Sequence, residues 1–118
     1  HHHVAMAVCA DISVEDYARD AAHRGANLYA TSVLLSEKGY HKDCEYLARW
    51  SRKFNIAVLM ANHALPTGGF DSAGKSAVWD ENGRQIIAGG SGEQLVIARR
   101  QDSKWQGEVH DLRTATAL

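Results

Sequence analysis

The chain has few cysteines, a single proline and almost no net charge. Its 118 residues include two cysteines, Cys9 and Cys44, and carry a formal net charge of -1. Two cysteines without a CxxC pair exclude a disulfide-rich scaffold and predict free thiols in a cytoplasmic protein, although a single Cys9–Cys44 disulfide stays open. The near-neutral charge argues against nucleic acid or an anionic membrane as the main partner. No apolar run is long enough to cross a bilayer, and no secretory signal is visible.

Histidine is comparatively frequent, with seven copies. Residues 1–3 are all histidine, and we interpret them as the remnant of a purification tag and exclude them from functional argument. The remaining histidines have no metal-ligand spacing, alone or with the two cysteines. They are His23, His41, His63 and His110. We therefore predict no metal site and no bound cofactor.

The order of hydrophobic patterns predicts strands and helices that alternate at first and then strands alone. A composition of 45% hydrophobic and 23% charged residues fits one globular domain. Strand, helix and strand at this spacing predict right-handed crossovers between parallel strands. Asn82-Gly83 lies between two strand-like runs and predicts a hairpin. The predicted elements are a strand at Val4–Asp11, a helix from Ser13 to Arg24, a strand at Ala26–Val33, a helix at Tyr40–Phe54, and strands at Ile56–Ala61, Gly74–Trp79, Arg84–Ala88 and Gln94–Arg99.

Two local predictions concern element ends. Ser13, followed three residues later by Asp16, is typical of a capping box at the start of the first helix. Residues 101–118 show little periodicity, so we predict an extended arm or tail there, after a domain of residues 4–100.

Cys9 is the first candidate for chemistry. It follows a buried strand and precedes a helix start, where a thiol pKa is commonly lowered. It could then act as an acyl-transfer nucleophile, and the backbone N–H of Ala10 could help to bind an oxyanion. The competing interpretation is that a free cysteine simply packs in the interior.

Gly69–Ser76 matches the phosphate-binding pattern GxxxxGK[ST] letter for letter. That pattern requires a helix after the loop, because the helix start and the loop amides together hold the phosphates. Here a hairpin pattern follows Ser76. We therefore favour a glycine loop that enters a strand over a nucleotide site.

The residue identities around Cys9, and not only their spacing, resemble those of the carbon–nitrogen hydrolase (nitrilase) family. The resemblance covers Val4–Arg100 and is strongest at Val-Cys-Ala-Asp-Ile around Cys9. It continues through Ala18-Arg19, Gly25-Ala26, Leu47-Ala48-Arg49, Ala61-Asn62, Phe70, Gly74, Ser76 and the Asp80–Gly83 turn. The family also has a proline–glutamate pair shortly after the cysteine, whereas this chain has Glu15-Asp16 without the proline.

This resemblance implies an α/β (α+β) fold: the C-terminal half of an α-β-β-α sandwich, with a mixed sheet and two helices on one face. It implies hydrolysis of small amides, nitriles or carbamoyl compounds through a thioester. Cys9 matches the family's nucleophile, and Ala10 matches the residue whose amide assists the oxyanion. Ser32, Val33 and Asn62 fall where family members line or support the substrate pocket.

In the family, the general-base glutamate and the oxyanion-stabilising lysine precede the cysteine, and this chain has no match for either. General-base assistance is commonly worth ~10²–10⁴-fold, and an oxyanion donor ~10²–10³-fold. We therefore predict a truncated hydrolase with negligible amidase activity alone. A sheet with one uncovered face further predicts a homodimer. The alternative function is a non-catalytic oligomerisation or binding scaffold in which Cys9 is a buried thiol.

Overall fold

The computed structural model describes residues 2–112. The elements in chain order are β1 (Val4–Val8), a 3-10 helix (Cys9–Ser13), α1 (Glu15–His23), β2 (Leu28–Val33), α2 (Glu37–Phe54), β3 (Ala57–Asn62), β4 (Ala77–Trp79), β5 (Gln85–Ala88), β6 (Gln94–Gln101) and β7 (Lys104–Asp111). Within the described range, no helix is both long and apolar enough to span a membrane.

Five strands form one mixed sheet in the order β1-β2-β3-β4-β5. The first three are parallel, with Val4 opposite Leu28 and Leu28 opposite Ala57. β4 and β5 continue the sheet antiparallel, and the turn that joins them contains Gly83 at a φ of 81°. The hairpin predicted at Asn82-Gly83 is therefore confirmed.

Both helices lie on one face of this sheet. The two crossovers step in the same direction from β1 to β3, so right-handed connections place α1 and α2 on the same side. The core lies between these two layers. Its least exposed large side chains include Tyr29, Val58 and Met60 from the strands and Leu47 from α2. The prediction of an α/β fold with a mixed sheet and two helices on one face is confirmed.

The helix starts differ from those predicted. Val14, not Ser13, occupies the N-cap position of α1, and no side chain caps it. The predicted Ser13–Asp16 capping box is therefore wrong, because the Ser13 hydroxyl instead donates to the Ala10 carbonyl at 2.9 Å. α2 begins at Glu37, earlier than predicted, because the Ser36 hydroxyl caps it by accepting from the Gly39 N–H at 3.1 Å.

The predicted arm at 101–118 is wrong as far as Asp111. Lys104–Asp111 forms β7, which pairs antiparallel with β6 along its whole length. The turn between them uses Asp102 and Ser103 at φ values of 53° and 67°. Residues 113–118 of the predicted arm lie outside the described residues.

The β6–β7 hairpin packs over β5. A Cβ atom built on Gly107 would lie 2.3 Å from the Cβ atom of Ile87, so only glycine permits this approach. Ile87 pairs with Val78, whose neighbours on β4 contribute to the opposite, helix-covered face. The β6–β7 hairpin therefore covers the β4–β5 side of the second face of the sheet, the face without helices.

The β1 side of that second face is exposed to solvent. Val4, Met6 and Val8 alternate along β1 and are 52%, 82% and 57% exposed. They point away from the helices, since Ala7 between them belongs to the core. We call the surface formed by Val4, Met6, Val8, Leu28, Ala30 and Leu59 the open face; its six residues are apolar, and Arg100 of the hairpin shares a cavity with Leu28 and Leu59.

Candidate active site at the end of β1

Cys9 lies where β1 ends and a 3-10 helix begins. Its side chain is exposed, and its φ angle is 51°. The left-handed region costs a residue with a side chain about 1–2 kcal/mol, and such strain is concentrated at functional sites. A sharp strand-to-helix turn projects the side chain of the turn residue away from the sheet, as at the nucleophile elbow of α/β-hydrolases. The thiol is therefore presented to solvent and is not packed in the interior.

The turn is held in place by its own polar groups. The Asp11 carboxylate accepts from the Val8 N–H at 3.3 Å, and the Asp11 carbonyl accepts from the Val14 N–H at 3.0 Å. One contact also ties the turn to α2, because the Trp50 indole N–H donates to the Ile12 carbonyl at 2.7 Å. The backbone around Cys9 is thus fixed by short-range and long-range hydrogen bonds.

A cavity of about 300 Å³ adjoins the cysteine. It is lined by Cys9, Ala10, Ile12, Ser13, Leu34, Leu35 and Asp43. Leu34 and Leu35 come from the loop after β2, and Asp43 comes from α2. The arrangement combines a thiol, an apolar floor and one carboxylate.

Ser32 and Val33, the predicted pocket residues on β2, have different surroundings. Ser32 is the partner of Val8 across the parallel ladder, so it lies beside the strand end that carries Cys9, and it is exposed. Val33 is 5% exposed and belongs to the core on the helix side. The structure thus places Ser32 beside the end of β1, next to Cys9, and places Val33 in the core between the sheet and the helices.

Asn62 is a buried connector between two loops. Its side-chain oxygen accepts from the Leu35 N–H at 2.8 Å, and its side-chain nitrogen donates to the Gly74 carbonyl at 2.8 Å. Its own N–H donates to the Ser76 hydroxyl at 2.9 Å. Since Leu35 lines the cavity beside Cys9, Asn62 supports a wall of that cavity from behind.

The loop at Gly69–Ser76 enters β4 and is not followed by a helix. Its Gly74 and Lys75 N–H groups donate to the carbonyls of His63 and Gly90, both at 3.1 Å. The Lys75 ammonium lies 2.9 Å from the Glu37 carboxylate. The preferred interpretation, a glycine loop that enters a strand, is confirmed. Among residues 2–112, no group of three or more His, Cys, Asp or Glu side chains is placed to hold a metal ion.

Cys44 contrasts with Cys9. It is partly buried on α2, and burial raises its pKa to about 11. A thiol with so high a pKa is almost wholly protonated near neutral pH and is a poor nucleophile. Both cysteines are free, so the Cys9–Cys44 disulfide left open by the sequence is not formed in this structure.

Five cavity residues were not among the predicted site residues: Ile12, Ser13, Leu34, Leu35 and Asp43. Ile12 and Ser13 follow Cys9 directly in the same turn. Leu34 and Leu35 immediately follow the pocket positions predicted on β2, so the end of that strand was an available signal. No sequence signal pointed to Asp43, because its position on the same cavity as Cys9 depends on where α2 packs on the sheet.

Comparison with solved structures shows that the mixed sheet with two helices matches part of the nitrilase fold. No protein-family model matches the chain. An amidase from Nesterenkonia sp. is 27% identical, with a TM-score of 0.67, over 77% of this chain and 35% of that chain. Nit3 of Saccharomyces cerevisiae, a member of branch 10 of the nitrilase superfamily, is 16% identical, with a TM-score of 0.72, over 97% of this chain and 39% of that chain.

A mutant of the amidase from Nesterenkonia sp. AN1 is also similar, with 27% identity and a TM-score of 0.66 over 75% of this chain. That structure shows covalent addition of the acetamide moiety of fluoroacetamide at the active site cysteine. This chain matches only 34% of its length. The chain therefore has the fold of part of a nitrilase-superfamily protein and spans 34–39% of the length of these structures.

Proposed function

We propose that this chain is the nucleophile-bearing, C-terminal part of a nitrilase-superfamily carbon–nitrogen hydrolase, with Cys9 as the nucleophile. One observation carries the proposal: the Cys9 thiol is exposed at a strained turn, beside a cavity, at the end of a parallel strand. The similarity to an amidase with an active site cysteine supports the same assignment.

The proposed chemistry begins with attack of the Cys9 sulfur on the carbonyl carbon of an amide. The resulting oxyanion receives a hydrogen bond from the backbone N–H of Ala10. The C–N bond then breaks, the amine leaves with a proton, and a thioester remains on the sulfur. Water hydrolyses the thioester, which releases the acid and restores the thiol.

Catalysis by this chain alone is expected to be negligible. Within residues 2–112, no hydrogen bond joins the Cys9 thiol to a side-chain base, and no lysine or arginine lines the cavity. The thiol must then rely on its own ionisation, without assistance commonly worth ~10²–10⁴-fold. The glutamate and lysine expected from the family would have to come from another segment.

Small amides are the proposed substrate class. Structures of Nesterenkonia amidase mutants hold acrylamide and butyramide. The cavity beside Cys9 has a partly apolar lining and a volume of about 300 Å³, which suits compounds of that size. Nitriles and carbamoyl compounds also present an electrophilic carbon to a thiol and remain within the class.

Labelling with iodoacetamide at pH 7 tests the assignment of Cys9. We expect modification of Cys9 with Cys44 untouched, as read by peptide mass spectrometry. An exposed reference thiol separates activation from mere accessibility: the double variant Cys9→Ala, Ser13→Cys carries a thiol on the same cavity but past the strained turn. The assignment is supported if Cys9 reacts faster than that reference, and equal rates or no reaction would overturn it.

The second candidate function is a scaffold that associates through the open face. The exposed Val4, Met6 and Val8 side chains favour it, because uncharged apolar surface of this kind is usually covered. The proposed partner is a second copy of the chain, as a homodimer. Light scattering should show a dimer that Met6→Glu dissociates, whereas a stable wild-type monomer at micromolar concentration would contradict it.

A further inference from the structure

Asp43 is set apart from the other acidic residues of the two helices by its lack of a partner. Every other carboxylate on α1 and α2 has a basic side chain within 4 Å. These pairs are Glu15 with Arg19 and Lys53, Asp16 with Arg19, Asp20 with Arg24, Glu37 with Lys75, and Glu45 with His41. In the described part of the chain, no hydrogen bond or ion pair engages the half-buried Asp43 carboxylate.

The position of this carboxylate relates it to the cysteine. Asp43 and Cys9 line the same cavity, and the apolar side chains of Ile12 and Leu35 contribute to its floor. A half-buried carboxylate on a cavity wall interacts more strongly with a ligand than a fully exposed one, because less water screens its charge. An unpaired carboxylate in such a place is thus a recognition group for a cation.

Direct proton transfer between the two groups is not what the geometry favours. A general base must lie within hydrogen-bond reach of the proton that it removes. In the described structure the Cys9 thiol and the Asp43 carboxylate share no hydrogen bond, although both line one cavity of about 300 Å³. A ligand in this cavity can therefore contact both groups.

We propose that Asp43 determines substrate specificity, selecting amides that carry a cationic amino group on the acyl or amine side. This inference rests on the proposed role of Cys9 as nucleophile. The ammonium group of the substrate pairs with Asp43 while its carbonyl carbon lies at the Cys9 sulfur. Among the described residues no basic side chain lines the cavity, and Asp43 is the one acidic residue that does, so anionic substrates are repelled.

Charged thiol reagents with a common leaving group test this preference without requiring turnover. 2-Aminoethyl methanethiosulfonate is cationic, and 2-sulfonatoethyl methanethiosulfonate is anionic. With either reagent the Cys9 thiolate sulfur bonds to the transferred sulfur, methanesulfinate leaves, and the thiol proton is released to solvent. The quantity measured is the ratio of the two rates at Cys9, followed by peptide mass spectrometry so that Cys44 does not contribute.

In the wild-type chain we expect the cationic reagent to react faster, with a rate ratio that falls as salt is added. Asp43→Asn should lower the ratio about fivefold, which corresponds to one nearby charge in a medium of intermediate dielectric. Glu45→Gln is the matched control, because Glu45 lies on the exposed side of the same helix and pairs with His41 at 3.4 Å. It should leave the ratio unchanged.

An unchanged ratio in Asp43→Asn, or an equal fall in Glu45→Gln, would overturn the inference. If Asp43→Asn fails to fold, Asp43→Ser removes the same charge and should lower the ratio to the same extent, and an unchanged ratio in that variant would overturn the inference. The two proposals fail separately. Slow iodoacetamide labelling of Cys9 would reject its role as nucleophile, whereas fast labelling with an unchanged charge ratio would reject only the role of Asp43.

Discussion

The two methionines of this chain occupy opposite faces of the same sheet and have very different surroundings. Met60 on β3 is 1% exposed beneath the helices, whereas Met6 on β1 is 82% exposed on the open face. Each face is apolar along β1–β3, yet only one is covered by helices. The comparison shows that the helix-covered face holds the fold together, while the open face leaves apolar surface that residues 2–112 do not bury.

The candidate site lies at the boundary between these two regions. Cys9 follows directly from β1, whose outward residues belong to the open face, while Asp43 and Ile12 belong to the helix side. The turn that carries the thiol is held from the helix-covered side, because the Trp50 indole N–H on α2 donates to the Ile12 carbonyl. The groups that would complete catalysis are expected to approach from the uncovered half.

The largest effect is predicted for the covered face. Met60→Ala removes a side chain that is 1% exposed and should lower the free energy of unfolding by about 2–5 kcal/mol, because a buried cavity remains. Urea denaturation followed by tryptophan fluorescence measures this loss. A change below 1 kcal/mol would show that the core can collapse around the gap and that the helix-covered face is less tightly packed than the structure indicates.

A smaller effect is predicted where the hairpin covers the second face. Gly107→Ala places a Cβ atom 2.3 Å from Ile87 and should lower stability by about 1–3 kcal/mol through overpacking. Trp105 reports the displacement by fluorescence, since its indole N–H donates to Glu81 at 2.9 Å. Gly39→Ala in α2 is the control, because a Cβ there meets only ordinary contacts and should stabilise the helix slightly. Equal effects of the two variants would contradict this packing.

The buried thiol predicts a pH effect on the order of 1 kcal/mol, after allowance for its partial exposure. Burial raises the pKa of Cys44 to about 11, against about 9 for an exposed thiol. Below pH 9 both states hold the proton. Between pH 9 and 11 the unfolded state releases it while the folded state keeps it, so stability falls as pH rises. Cys44→Ala should flatten the urea midpoint in this window, and an unchanged slope would contradict the prediction.

Much of the fold could be predicted from periodicity and turn chemistry. β1–β3 are short apolar runs, α1 and α2 have helical spacing, and Asn82-Gly83 demands a turn. β7 was missed because Gly107 interrupts an otherwise alternating Trp105, Val109 pattern, and the turn at Asp102 lacks glycine. The missed start of α2 depends on Ser36, a short-range capping signal that the sequence does contain.

The candidate site was predictable only in part. Cys9 could be found from its place at a strand end and from the letters around it, since both are local. The cavity walls could not be found in this way, because Leu35 and Asp43 reach the cysteine through the packing of α2 on the sheet. Asn62 was predicted beside the pocket, but its role in tying two loops together depends on contacts with Leu35 and Gly74, which lie far away in sequence.

The smallest effect is predicted for Met6→Ala, the same substitution on the open face. Met6 is 82% exposed, so its truncation leaves no cavity and should change the unfolding free energy by no more than about 0.5 kcal/mol in dilute solution. The measurement is the same urea titration as for Met60→Ala, repeated at several protein concentrations. If a second copy covers the open face, the loss should grow with concentration, because the substitution then weakens an interface as well as a monomer. A large loss that does not depend on concentration would mean that the open face is buried within a single chain.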